Sequence, residues 1–296
     1  SLGSTDTNEM FVDISGVKVV SGGVYAEAGI AFSNSAGRVS NSIVGPLERA
    51  TSAADLAARP HGWGIIKTNS NLGDGPGTVE NEVTVANSVV TGYQSGGIFI
   101  DGARGTDGSA DNAVRSGIIT KGYVKNTVVA GKSSSLIPQT GVKFAGGAQG
   151  FITANRITNH YYIPDPRQSV GILYTDAKTE VAGALTATGN VITGNGYGVF
   201  NANGANTAIR DGAAPTTVTT AVATGNYWGN QAPVAGASQP ALGIEGFSGN
   251  DAQTVPVASV NAGSRLTSPP ASVPTAAGLT VDNTPTGAMI NPDDGI

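Results

Sequence analysis

The stretch "NVITGNGYGVFNAN", Asn190 to Asn203, consists of small, β-branched and aromatic residues with asparagine, and it carries no charge. It contains one phrase in which an aliphatic residue follows a glycine, "GVFNAN", and, together with the preceding Gly189, a second phrase that opens on glycine and asparagine, "GNVITGN". Because β-branched and aromatic residues favour strands, whereas Gly and Asn favour turns, the stretch predicts short strands separated by tight turns.

Both phrases recur along the chain. The first occurs as "GIAFSN" (29–34), "GIIKTN" (64–69), "GIFIDG" (97–102), "GVKFAG" (141–146), "GILYTD" (171–176) and "GVFNAN" (198–203). The second begins as "SNSIVG" at Ser40, "ANSVVTG" at Ala86, "KNTVVAG" at Lys125, "ANRITN" at Ala154, "GNVITGN" at Gly189 and "GNYWGN" at Gly225. The regular recurrence of both phrases, interrupted by insertions, predicts a parallel solenoid in which each coil stacks on the one before. Propellers and sandwiches fit less well, because they need hairpin turns between neighbouring strands.

Stacking explains the simple composition. Residues that follow the first-phrase glycines would form one aliphatic column, with about 4.8 Å between neighbours: Ile30, Ile65, Ile98, Val142, Ile172 and Val199. The asparagine of the second phrase tolerates left-handed turns, and its amide can form a hydrogen-bonded ladder. The predicted ladder comprises Asn41, Asn87, Asn126, Asn155, Asn190 and Asn226.

The phrase "GNYWGN", Gly225 to Asn230, closes the last repeat. With the preceding repeats, it resembles the pectate-lyase-like superfamily of right-handed parallel β-helix proteins, and within it the secreted bacterial repeat proteins that end in an Asn-aromatic-Trp-Gly phrase. The resemblance covers about residues 10–230. It implies an all-β, single right-handed parallel β-helix of about six to seven coils, a secreted or cell-surface location in a bacterium, and a polysaccharide as ligand or substrate.

The composition also predicts how the chain is divided. Residues 1–9 are expected to be an N-terminal remnant or entry segment, residues 10–230 the β-helix, and residues 231–263 a C-terminal cap over the last coil. Residues 264–296 are rich in Pro, Thr and Ala, which is typical of a linker. We expect this linker to lead toward a further domain of the same chain.

Charge and cysteine content argue against several classes of function. Charged residues make up 12% of the chain and the formal net charge is -5, with no basic stripe for a nucleic-acid backbone. No apolar run approaches the roughly 20 residues of a membrane-spanning helix. The chain has no Cys, which excludes disulfides, cysteine nucleophiles and thiolate metal sites.

The aligned repeats predict a shallow catalytic groove on neighbouring coils, formed by Asp101, Lys143, Tyr174 and Asp176. Two carboxylates, Asp101 and Asp176, fit hydrolysis of a glycosidic bond with inversion. Alternatively, Lys143 fits the role of a general base for β-elimination from a uronic acid. Against both stands the absence, among the coils, of the adjacent Asp pair, Gly-His-Gly and Arg-Ile-Lys motifs that pectin hydrolases of this fold carry.

The insertion at 101–117 contains three carboxylates, Asp101, Asp107 and Asp111. Oxygen ligands on a loop are typical of calcium sites, so calcium is the one cofactor that the sequence indicates. The order of these residues matches neither an EF-hand nor the nonapeptide calcium repeat, and a solvated loop without metal is the alternative.

The insertion at 159–168, "NHYYIPDPRQ", combines aromatic and ionisable residues. Tyr161, Tyr162, Asp165 and Arg167 predict a sugar-binding platform, together with Tyr174 in the adjacent groove. The alternative is that these aromatic residues only cover the side of the solenoid.

Two functions therefore remain open at this point. The first is a secreted or cell-surface module that acts as a rigid spacer and binds glycans. The second is a polysaccharide lyase or glycoside hydrolase with its site around Asp101, Lys143 and Asp176.

Overall fold

The structure is a computed structural model that describes twelve segments of the chain. They are residues 11–21, 26–33, 35–47, 62–70, 80–104, 119–133, 135–146, 148–162, 168–175, 185–201, 221–229 and 260–278.

The described segments form three parallel sheets. Sheet A contains eight strands: β1 (Phe11–Ser15), β4 (Ala36–Ser40), β7 (Glu80–Ala86), β10 (Ile119–Lys125), β13 (Gln149–Thr153), β16 (Leu185–Thr188), β19 (Ala221–Val222) and β20 (Val260–Asn261). Sheet B contains six: β2 (Lys18–Val19), β5 (Ile43–Val44), β8 (Val89–Thr91), β11 (Val128–Ala130), β14 (Arg156–Thr158) and β17 (Val191–Thr193). Sheet C also contains six: β3 (Ala28–Ser33), β6 (Trp63–Ser70), β9 (Gly96–Arg104), β12 (Thr140–Ala145), β15 (Val170–Tyr174) and β18 (Tyr197–Asn201).

Each coil runs from sheet A through sheet B to sheet C, and the chain then returns to sheet A one strand further along. Six coils contribute a strand to all three sheets, and β19 and β20 extend sheet A beyond them. The predicted right-handed parallel β-helix is therefore confirmed. The described segments include a 3-10 helix, Ala276–Gly278, and no helix there has the length and hydrophobicity that a membrane crossing needs.

The core lies between the three sheets and repeats from coil to coil. On sheet C, the aliphatic residues that follow the first-phrase glycines are consecutive register partners and are all buried: Ile30, Ile65, Ile98, Val142, Ile172 and Val199. The predicted aliphatic column is confirmed. Because each side chain meets its equivalent in the next coil, the core needs little variety of residue type.

Close approach of successive coils explains the glycine that opens each first phrase. A Cβ on Gly97 would lie 2.6 Å from the carbonyl oxygen of Gly141, and a Cβ on Gly141 would lie 2.5 Å from that of Gly171. Any larger residue would force the coils apart, so the first phrase must begin with glycine.

Strand register divides the six recurring asparagines into two sets. In the earlier coils the asparagine occupies a turn position with positive φ: Asn41, Asn87 and Asn126. In the later coils another residue takes that turn position: Ala154, Gly189 and Gly225. The remaining asparagines lie one residue further along and are buried: Asn155, Asn190 and Asn226. The prediction of one ladder of six is therefore wrong by one residue for the first three.

The buried position one residue after the turn, named here the inner position, nevertheless forms a continuous hydrogen-bonded ladder. Its earlier members are hydroxyl residues: Ser42, Ser88 and Thr127. The backbone N–H of Thr127 donates to Oδ1 of Asn155 at 2.9 Å, and that of Asn155 donates to Oδ1 of Asn190 at 2.8 Å. Hydroxyl and amide groups therefore satisfy the same backbone groups in successive coils.

The segment predicted as a linker is partly packed against the β-helix. Residues 264–278, named here the strap, follow β20. The N–H of Leu266 donates to the carbonyl of Asn226 at 2.8 Å, and Nε of Arg156 donates to the carbonyl of Pro274 at 2.9 Å. Val273 is buried. The strap thus runs back from the last coil to the strand β14, which differs from the expectation of an extended linker from residue 264 onward. Residues 1–9 and 231–259 lie outside the described segments.

Candidate functional site

The outer side of sheet C carries a line of mostly apolar residues parallel to the axis of the solenoid. Its members are register partners, one per coil: Ala31, Ile66, Phe99, Lys143, Leu173 and Phe200. All but Ala31, which is exposed, are partly exposed, and Lys143 is the one charged residue in this line. Successive members are separated by the strand spacing of about 4.8 Å.

Aromatic rings pack on this side of sheet C, both between neighbouring coils and within one strand. The ring centroids of Trp63 and Phe99 are 5.1 Å apart, and Nζ of Lys143 lies 4.7 Å from the centroid of the Phe99 ring. At the far end, the rings of Tyr197 and Phe200 are 5.5 Å apart. We name the surface formed by Trp63, Ile66, Phe99, Lys143, Leu173 and Phe200 the C face. It offers flat apolar rings and one ammonium group to a ligand.

Two of the predicted groove residues are buried rather than exposed. Asp101 is 1% exposed, and a Cβ on Gly146 would lie 2.2 Å from its Oδ1, so the carboxylate is enclosed by the turn at Gly146. Tyr174 is 0% exposed. It points inward because it lies two residues after Ile172, and side chains alternate along a strand. The expectation that Asp101 and Tyr174 face solvent is wrong.

Among the groove residues that the structure describes, Lys143 is the one that faces outward. Strand register places Asp101 opposite Ala145, two residues beyond Lys143 on the neighbouring strand. The two residues are therefore neighbours in the sheet but differ in access to solvent. Their predicted catalytic roles stay predictions, since their partner Asp176 lies outside the described residues.

The tyrosines of the 159–168 insertion belong to the wall of the coil. Tyr161 is 8% exposed, and its carbonyl accepts a hydrogen bond from the N–H of Ser135 at 2.9 Å. Tyr162 is partly exposed and forms an isolated bridge with Ser135. Exposure of Tyr161 as a platform is therefore not observed. Asp165 and Arg167 lie outside the described segments.

His160 lies in a buried network between sheets B and C. Asn195 donates from Nδ2 to the carbonyl of Ile157 at 3.1 Å, so its Oδ1 faces the ring and accepts from Nδ1 of His160 at 2.6 Å. Nε2 of His160 is then left to accept the hydroxyl proton of Tyr93. Burial lowers the pKa of His160 to about 4, although the hydrogen bond to Asn195 acts in the opposite direction. Burial also raises the pKa of Tyr93 well above its ordinary value.

This network joins three coils and does not reach solvent. His160 has no exposed surface, and Gly131 and Gly141 leave space for its ring, since a Cβ on either would lie within 2.7 Å of it. At neutral pH the imidazole is neutral and each of its nitrogens has a partner. We therefore assign His160 a structural role.

The predicted calcium site falls mainly outside the described segments. Asp107 and Asp111 are not described, and Asp101 is enclosed as stated above. Within the described residues, no group of three or more His, Asp or Glu side chains is placed to hold a metal ion. Calcium binding by the 101–117 insertion stays a prediction.

The aromatic residues of the C face were not among the site residues predicted from the sequence. The signal was present in the first phrase, where the residue two positions after glycine faces outward: Phe99 follows Gly97, and Phe200 follows Gly198. Once the aliphatic residue between them is known to point inward, alternation along the strand places these rings on the outer side.

Comparison with known proteins adds no relative from which a function can be transferred. No protein-family model, curated protein or solved structure matches the chain.

Proposed function

We propose that this chain is a secreted or cell-surface bacterial module of the pectate-lyase-like β-helix type that acts as a rigid spacer and binds glycan on its C face. The observation that carries the proposal is the line of partly exposed side chains along sheet C, with Trp63 and Phe99 packed together beside Lys143. Partly exposed aromatic rings with a polar group at their edge are typical of recognition surfaces.

The geometry of the line suits a polymer rather than a compact ligand. One side chain per coil follows the axis, so an extended polysaccharide lying along the C face would contact several coils at once. Sugar rings present apolar C–H surfaces that pack on aromatic side chains, and their hydroxyl groups accept hydrogen bonds from an ammonium group.

The role as a spacer is supported by the way the coils are joined. A continuous aliphatic column, a continuous polar ladder and parallel strand pairing link each coil to the next. In a solenoid such nearest-neighbour contacts determine stability, and here they repeat without interruption through the described coils.

A second candidate is a polysaccharide lyase or glycoside hydrolase acting around Asp101, Lys143 and Asp176. One observation favours it. Asp101 and Lys143 lie on neighbouring strands of sheet C, where Asp101 is opposite the residue two positions after Lys143. The burial of Asp101 argues against direct contact between its carboxylate and a substrate.

The proposal is tested by retention on cellulose, xylan, chitin and polygalacturonate, each with and without calcium. Leucine at Trp63 and Phe99 keeps apolar volume but removes the rings, so this double variant should bind the retaining polymer at least about tenfold more weakly, or roughly 1.4 kcal/mol. Phe11→Leu is the matched control, because Phe11 is 60% exposed on β1, away from the C face. Equal retention of the double variant and the wild type would contradict the proposal.

The same incubations distinguish the second candidate. New reducing ends or unsaturated uronates that appear with the wild type and disappear in Lys143→Ala would identify an enzyme. Retention without products would leave a binding module.

A further inference from the structure

The arrangement on the C face occurs a second time, on the outer side of sheet A. The rings of Tyr123 and Phe151 are stacked with centroids 5.0 Å apart and planes 15° from parallel. Nζ of Lys125 lies 4.9 Å from the centroid of the Tyr123 ring. Both surfaces thus combine a pair of rings from neighbouring coils with a lysine ammonium over one ring.

The pair on sheet A faces away from the core. Val124 and Ile152, which follow Tyr123 and Phe151 in the chain, are fully buried, so alternation turns the two rings outward. Both rings are partly exposed. The two stacked rings form an apolar step on the outside of the sheet, against which an apolar ligand surface can pack.

Polar groups surround this step. Thr84 and Thr186 are the register partners on either side of the ring pair. The hydroxyl of Tyr123 donates to Oε1 of Glu82 at 3.3 Å. We name the surface formed by Glu82, Thr84, Tyr123, Lys125, Phe151 and Thr186 the A face. Rings surrounded by hydroxyl, carboxylate and ammonium groups match the alternation of C–H surfaces and hydroxyl groups on a sugar.

The two faces point away from each other. Sheets A and C pack together through the core, since a Cβ on Gly122 of sheet A would lie 2.3 Å from Cδ1 of Ile100 and 2.6 Å from Cε1 of Phe144, both on sheet C. Their outer sides are therefore on different sides of the solenoid. A single straight glycan chain cannot lie on both at once.

From the repeated arrangement and the opposed faces we infer that the A face is a second glycan site, so that each molecule binds two polysaccharide chains and cross-links them. This inference rests on the proposed function of the C face. The occupant is a second strand of the same polymer, because both faces carry a pair of aromatic rings with a lysine ammonium over one of them. Linking two sites in one rigid body also raises the apparent affinity for a polymer network.

The test counts binding sites with oligosaccharides too short to reach both faces. Cellohexaose, xylohexaose, chitohexaose and hexagalacturonate are titrated by calorimetry into the wild type, a C-face variant (Trp63→Leu with Phe99→Leu) and an A-face variant (Tyr123→Leu with Phe151→Leu). We expect two ligands per wild-type molecule and one per molecule of either variant. Leu136→Ala, a control at an exposed residue that belongs to neither face, should still bind two. Urea midpoints verify that each variant is folded.

A second readout uses the intact polymer. Light scattering of the soluble polysaccharide should rise on addition of wild-type protein and stay near baseline with either double variant, because cross-linking needs both faces. One ligand per wild-type molecule, with the A-face variant unchanged, would overturn the second site and leave the C-face proposal standing. A wild type that binds none of the four oligosaccharides contradicts both.

Discussion

Asn190 joins three coils through one side chain. Its Nδ2 donates to the carbonyl of Ile152 at 3.0 Å and to Oδ1 of Asn226 at 2.9 Å, while its Oδ1 accepts from the backbone N–H of Asn155. Asn190 is fully buried, so water cannot replace these partners. Removing the amide leaves several buried backbone groups unsatisfied, each costing about 1–3 kcal/mol.

We therefore expect Asn190→Ala to lower the free energy of unfolding by about 3 kcal/mol or more in urea titrations. The matched control is Asn87→Gly. Asn87 is exposed with φ of 48°, which glycine adopts freely, so this change should cost less than about 1 kcal/mol. Equal losses for both variants would show that the inner ladder has no special role.

His160 should make stability depend on pH. Its pKa is lowered from an ordinary value of 6.5 to about 4, so below pH 6.5 the unfolded chain takes up a proton that the folded chain excludes. The contribution of His160 is therefore fully present above pH 6.5 and is lost as the pH falls toward 4, by roughly 3 kcal/mol.

The measurement compares unfolding free energies of the wild type and His160→Gln between pH 7 and pH 4. The wild type should lose roughly 3 kcal/mol more than the variant over this range. The imidazole resonance of His160 in the folded protein should titrate near pH 4 as well. A midpoint near 6.5 would contradict the buried, neutral assignment.

At the scale of elements, the strap is held by contacts between segments far apart in sequence. Its anchor is the hydrogen bond from Arg156 on β14 to the carbonyl of Pro274. Without it, the strap should separate from sheet B and the last coil, residues 221–229, should open more easily, because terminal coils have a neighbour on one side only.

We expect Arg156→Ala to reduce amide hydrogen-exchange protection in residues 221–229 about tenfold, or roughly 1.4 kcal/mol. Arg38→Ala is the control: Arg38 forms an exposed ion pair with Asp13 at the opposite end of sheet A, and its loss should leave 221–229 unchanged. Unchanged protection in Arg156→Ala would mean that the strap does not stabilise the last coil.

The strands of the repeated phrases could be predicted because their signals are local. The glycine before Ile98 and the β-branched residues around Val129 have equivalents in the other copies of the two phrases. Comparison of the repeats within one chain is therefore sufficient to predict the strands. The outward direction of Phe99 was equally available from alternation. The burial of Asp101 depends on the turn at Gly146 in the next coil, which the position of Asp101 at a strand end does not reveal.

The packing of the strap and the burial of His160 could not be predicted from the local sequence. "SRLTSPPASVPTAAG" has the composition of a free linker, and its packing depends on Arg156, more than a hundred residues earlier. His160 stands in an insertion with polar neighbours, and its burial depends on Tyr93 and on the space that Gly131 and Gly141 leave. Such contacts arise from stacking, which the local sequence does not specify.

At the scale of the whole molecule, the protein is a rod of stacked coils with a uniform aliphatic core and a varied outer surface. Its net charge of -5 is spread thinly, since charged residues are 12% of the chain. The proposed glycan recognition relies on side chains that face outward from the sheets, and on the C face Trp63 can report it by fluorescence.

The most direct test of glycan binding on the C face uses the fluorescence of Trp63. The chain has two tryptophans, and Trp228 is 1% exposed with an indole N–H that has no hydrogen-bond partner in the described structure, so Trp228→Phe should fold and leave Trp63 as sole emitter. Titration with the polysaccharide that retains the protein should then change Trp63 emission saturably, with the same midpoint as retention. Retention with no change in Trp63 emission would contradict the account.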